Sequence, residues 1–109
     1  MIEVTQYEET GGECPFADWF LQLDTRAALK VRTAIARMEA GNLGDVKSVG
    51  GGVSERRIDF GPGYRLYFGR DGKRLVVLLA GGTKQRQQRD IERAQAYWAD
   101  YQRRKRRGG

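Results

Sequence analysis

Six consecutive apolar residues, Leu75-Val76-Val77-Leu78-Leu79-Ala80, constrain the fold of this chain more than any other segment. Side chains along a strand point alternately to opposite faces, so this run is apolar on both and belongs in the interior of a sheet. Asp71-Gly72 just before it is a hairpin turn signal. Gly61-Pro62-Gly63 marks a second turn further upstream. Three antiparallel strands, at 53–60, 64–70 and 74–80, are therefore predicted.

The flanking segments supply the rest of an α+β fold. Residues 2–7 alternate apolar and polar, as a half-buried first strand does. Pro15 stands where a helix's first turn accepts it, and Phe16, Trp19, Phe20 and Leu23 follow at helical spacing. Asp24-Thr25 reads as the cap of a second helix, whose apolar stripe is Ala28, Val31, Ile35 and Met38, ending at Gly41. The two helices form a hairpin that covers the sheet. Residues 41–52 hold five glycines and few apolar anchors, which predicts a loop. From Lys84 a final helix is expected, with Ile91, Ala94, Trp98 and Tyr101 on one stripe. One domain is expected over residues 1–102, followed by a basic, disordered tail at 103–109.

Composition excludes several kinds of chemistry. The chain has 109 residues, no histidine and one cysteine, Cys14. Histidine-based general bases, catalytic triads and internal disulfides are therefore ruled out. No signal peptide or membrane-spanning run is visible, and a cytoplasmic location is expected. Net charge is +6, and all of the excess lies in residues 84–109, with nine Lys/Arg against three Asp/Glu. That asymmetry predicts an acidic partner, nucleic acid or an acidic protein surface.

Strand parity sharpens the expectation. Ile58 and Phe60 share a face with Leu66 and Phe68, which places Arg57, Arg65 and Tyr67 together on the opposite face. Cross-strand neighbours are only about 5 Å apart, so two guanidiniums can address one phosphate. Glu55 or Asp59 is available to pair with them. Lys84, after Gly81-Gly82-Thr83, is positioned to return towards the arginines. The plain reading of the same pattern is a sheet face laced with surface ion pairs, worth little energetically.

The motifs Glu55-Arg56-Arg57, Gly61-Pro62-Gly63-Tyr64-Arg65-Leu66-Tyr67, Leu78-Leu79-Ala80-Gly81-Gly82-Thr83-Lys84 and Gln87-Gln88-Arg89-Asp90-Ile91-Glu92-Arg93-Ala94 occur in this order. Over nearly its whole length the chain thus resembles the RelE/ParE superfamily of type II toxins, in its HigB-like, addiction-module-killer branch. The resemblance implies an N-terminal strand, a helical hairpin, an antiparallel three-strand meander and a C-terminal helix packed on a small sheet. It also implies an endoribonuclease that cuts mRNA on the ribosome without metal or cofactor. Arg57, Arg65 and Lys84 match the catalytic cations, with Tyr67, Asp90, Arg86 and Arg89 as substrate-binding residues. A base would stack on Tyr64 or Tyr67. The implied partners are a cognate antitoxin, the ribosome and mRNA, with operator DNA touched only indirectly through the antitoxin. Two departures stand out: Asp90-Ile91 occupies the place of a tyrosine early in the last helix, and there is no histidine. Two other readings remain open, a non-enzymatic ParE-like inhibitor of DNA gyrase and a plain nucleic-acid-binding module. On this reading Arg65 lies off the core, so Arg65→Ala would leave the fold intact.

Overall fold

In the computed structural model, which describes residues 1–108, strands β1 (Glu3–Gln6), β2 (Val46–Gly50), β3 (Val53–Ile58), β4 (Tyr64–Asp71) and β5 (Leu75–Thr83) form one mixed sheet. Helices α1 (Pro15–Leu21) and α2 (Thr25–Glu39) precede β2, and a 3₁₀ turn at Lys84–Arg86 leads from β5 into α3 (Gln87–Gly108). The sheet order is β1-β5-β4-β3-β2, with β1 parallel to β5 and every other pairing antiparallel.

The double-sided burial demanded by residues 75–80 is met by a layer on each face. Val76 and Leu78 pack with Phe16, Val31, Met38, Leu66 and Phe68 beneath α1 and α2. Val77 and Leu79 pack with Val53, Tyr67, Ala94 and Trp98 beneath α3. The register between β4 and β5 slips once: Tyr67 faces Ala80 while Phe68 faces Leu78, leaving Leu79 as the extra residue. This bulge turns both Leu79 and Ala80 towards α3 and resets the strand's phase. Gly81 then faces Trp19 of α1, and Gly82 faces Asp90 of α3.

The helices begin where the sequence indicates. Pro15 opens α1, and the Asp24 side chain caps α2 by accepting from the Ala27 amide at 2.9 Å. Val31 and Met38 are fully buried as expected, but Ala27 and Ala34 share their stripe, while Ala28 and Ile35 are half-buried at its edge.

Two expectations are corrected. Residues 46–50, read as loop, form an edge strand, so the meander has four strands and not three. Here the glycines gather at the strand's ends, while Val46 and Val49 half-bury on opposite faces of the sheet. The predicted tail also fails to begin at residue 103, because α3 continues unbroken to Gly108. Arg104 pairs with Asp100 at 2.7 Å and donates to the Glu8 carbonyl, and Lys105 pairs with Asp71. Cations in a last turn also complement the helix dipole. Gly109 lies outside the described residues. No helix among the described residues is long and apolar enough to cross a membrane.

Candidate functional site

The turn between β3 and β4 organises one corner of the sheet. Gly63 has φ +81°, a conformation side chains resist, and its carbonyl accepts from the Lys84 amide at 3.0 Å. A Cβ built on Gly63 would stand 3.7 Å from Lys84 Cβ and 3.8 Å from an Arg65 guanidinium nitrogen. Arg65 and Lys84 therefore flank the same point, although eighteen residues separate them. Arg57 is the direct cross-strand partner of Arg65. The three cations singled out in the sequence are thus brought to one corner.

They differ in what holds them. Lys84 is exposed. Arg57 is also exposed and pairs with Asp45 at 3.1 Å, whose carboxyl is held below the usual range by that hydrogen bond. Arg65 is only 8% exposed, so it is not off the core as the sequence suggested. Its Nε lies 3.5 Å from Glu55 Oε2, and Glu55 is completely buried. The same Glu55 oxygen accepts from Gln87 Nε2 at 2.8 Å, which ties the first residue of α3 to the middle of β3. Parity pointed to Glu55 as a partner, since it shares a face with Arg57. Nothing in the sequence pointed to Asp45 or Gln87, because their elements meet the site only in three dimensions.

Tyr67 requires a correction. It does share a face with Arg57 and Arg65, but α3 covers that face and leaves the ring no exposure. It cannot stack on a base. Its hydroxyl has no hydrogen-bond partner among the described residues, and burial, reinforced by the Glu55 and Asp90 charges, pushes its pKa up. Tyr64 is half-buried on the other face, its ring 6.2 Å from Trp19 and 6.5 Å from Phe60.

The remaining expected residues part company. Asp90, 8% exposed, sits directly on Gly82, where a Cβ would fall 2.0 Å from its Oδ2. Only glycine admits that approach. Asp90 and Arg86 line a cleft of about 460 Å³ between α1 and α3, together with Trp19, Arg93 and Tyr97. Arg89 is exposed and does not line it. Among the described residues no group of three or more His, Cys, Asp or Glu could hold a metal ion.

Burial raises the Asp90 pKa, against the opposing pull of Arg93, Arg86 and Arg89. A carboxyl whose folded value is raised favours the fold when protonated. Its ionisation then costs stability as pH rises from the unfolded value of about 3.9 through the folded one. Asp90→Asn is therefore expected to melt higher than the parent at pH 7, with the difference gone at pH 3. A lower melting temperature for Asp90→Asn at pH 7 would reject this.

No protein-family model matches the chain. Over 80 residues it is 45% identical to an uncharacterized protein of Haemophilus influenzae, covering 72% of this chain and 81% of that one. The chain belongs to that protein's family. Membership brings no activity with it, so the chemistry must be argued from the corner around Gly63.

Proposed function

We propose that this protein is the toxin of a type II toxin–antitoxin pair, a RelE/ParE-like, metal-independent endoribonuclease that cuts mRNA on the ribosome. The observation that carries the reading is the convergence of Arg65 and Lys84 beside Gly63, with Arg57 directly across the strand pair. In the reaction, the 2′-oxygen of a ribose bonds to the adjacent phosphorus, and the bond to the 5′-oxygen breaks. The products are a 2′,3′-cyclic phosphate and a 5′-hydroxyl, and the proton leaving the 2′-hydroxyl is balanced by one gained at the 5′-oxygen. Negative charge gathers on the phosphoryl oxygens in the transition state, and fixed cations stabilise it without reorganisation. Arg65, paired with a Glu55 that Gln87 holds in turn, is the rigid member of the set, while Lys84 and Arg57 are the accessible ones. Asp90, on the cleft beyond Gly82, is the carboxyl nearest the corner with a raised pKa, which suits proton transfer. The cognate antitoxin would cover this corner.

One observation favours a second reading, a gyrase-type inhibitor that cuts nothing. Tyr67 is sealed beneath α3 and Arg65 is engaged by Glu55, so few groups at the corner are free to move a proton.

Induction of the chain alone in a bacterial host, with mapping of mRNA 5′ ends, separates the two. The parent should give new in-frame cuts within translated messages. Lys84→Ala combined with Arg57→Ala should abolish them with an unchanged melting curve, because both side chains are exposed. Growth arrest without cuts would replace the nuclease by the inhibitor. Cuts that persist in the double variant would remove these cations from the site.

A further inference from the structure

The far end of the sheet carries a second set of cations that the proposed chemistry does not use. Arg70 lies near the end of β4 and Lys73 in the β4–β5 turn, while Lys105 and Arg106 belong to the last turns of α3. More than thirty residues separate them in sequence, and Asp71 ties them together. It accepts from Tyr101 Oη at 2.8 Å and pairs with Lys105. Arg70 closes the turn by donating to the Lys73 carbonyl at 3.0 Å. The result is a concavity of about 440 Å³ whose floor is Trp98 and Tyr101, with Arg70, Lys105 and Arg106 on its rim. At the strand rise of ~3.3 Å per residue, it lies roughly 20 Å along β4 from Arg65.

We propose that this concavity is a docking surface for the phosphate backbone of double-stranded RNA, separate from the corner around Gly63. Charge is the first reason: among the described residues Asp71 is the only acid lining it, and Lys105 already neutralises that one. The nature of the floor is the second. Single strands gain affinity by stacking bases on open aromatic rings. Here Trp98 is only 4% exposed, its ring stacks on Tyr101 at 5.0 Å, and the Tyr101 hydroxyl is committed to Asp71. With cations at its rim, Trp98 sealed and the half-buried Tyr101 already stacked on it, the surface reads backbones, not bases. A protein partner is the poorer fit, since protein interfaces centre on apolar anchors. The exposed large apolar residues, Met1, Leu21 and Leu29, all lie outside this concavity. The choice of RNA over DNA rests on the proposed function; the backbone surface itself does not.

The test is equilibrium binding of the full chain to a 20-base-pair RNA duplex, the DNA duplex of the same sequence and a single-stranded RNA, across a salt series. Arg70→Gln combined with Arg106→Gln should weaken RNA-duplex binding at least tenfold at low salt. It should also flatten the log–log salt slope by about two, one per lost phosphate contact. Arg106→Gln with Arg107→Gln leaves the turn untouched; a weaker effect in the same direction is expected, and far-ultraviolet circular dichroism checks the helix. Lys84→Ala with Arg57→Ala should abolish cleavage and keep duplex affinity, so that failure of the nuclease reading and failure of this surface are told apart. Unchanged affinity and slope in both charge variants would overturn the surface. Preference for the single strand would overturn backbone reading, and preference for the DNA duplex would overturn the assignment to RNA.

Discussion

Replacing Trp98 by alanine is expected to cost about 3–5 kcal/mol. The ring is 4% exposed and fills the space between α3 and the sheet, where it meets Gly69 of β4 and Gly52 before β3. Gly69 admits it by lacking a Cβ, while Gly52, at φ +82°, also serves the turn before β3. A Cβ on Gly69 would fall 2.4–2.5 Å from three atoms of the indole, and one on Gly52 2.7 Å from its nitrogen. For a domain of this size such a loss should lower the melting temperature by more than about 12 °C. The close approach adds a stricter check. Gly69→Ala alone must push the indole aside and is expected to destabilise by about 1–3 kcal/mol. In the Trp98→Ala background the same methyl enters vacated space, so the two costs should fall short of additive by at least about 1 kcal/mol. Strict additivity in thermal or denaturant melts would show that the ring does not rest on Gly69.

Arg65→Ala is expected to cost about 3–5 kcal/mol of stability, besides any loss of activity. The penalty comes less from the arginine than from what it leaves behind. Glu55 has no exposure, and without Arg65 no cation would pair with its charge, leaving the neutral Gln87 amide that donates to it. Loss of toxicity in Arg65→Ala would therefore say nothing by itself about the phosphate. The informative protein is Arg65→Met with Glu55→Leu, which removes both charges and keeps their volume. Replacing a whole buried pair by apolar residues is commonly neutral or better. The double variant should melt within about 1 kcal/mol of the parent, and still make no cuts in mRNA. A double variant that melts no higher than Arg65→Ala would mean that the Glu55 charge was never the problem. One that melts well and cuts would remove Arg65 from the chemistry.

Legibility followed the range of the interactions. The central strands were readable because residues 75–80 permit only an interior strand and Asp71-Gly72 permits a tight turn. Both helix starts were readable from Pro15 and Asp24, whose effects are local. The edge strand β2 was not, since its few apolar residues pair with β3 only after the glycine turn at 50–52 has reversed the chain. The run of cations after residue 102 looked like a disordered tail because composition counts charges and not their partners. Asp71, Asp100 and the Glu8 carbonyl supply those partners from elsewhere in the fold.

At the candidate site the division is similar. Alternation along β3 and β4 already put Arg57, Arg65, Glu55 and Tyr67 on one face, and Gly81-Gly82 before Lys84 allowed a path back towards the arginines. Alternation is covalent geometry, so the amino-acid sequence alone determines it. Whether that face is open or covered is a different matter, decided by where α3 lies. By packing across β3, β4 and β5, α3 buried Tyr67 and Glu55, drew Arg65 inward and left Lys84 and Arg57 in solvent. Burial is a property of the far side of a contact, and no residue carries it in its own position along the chain.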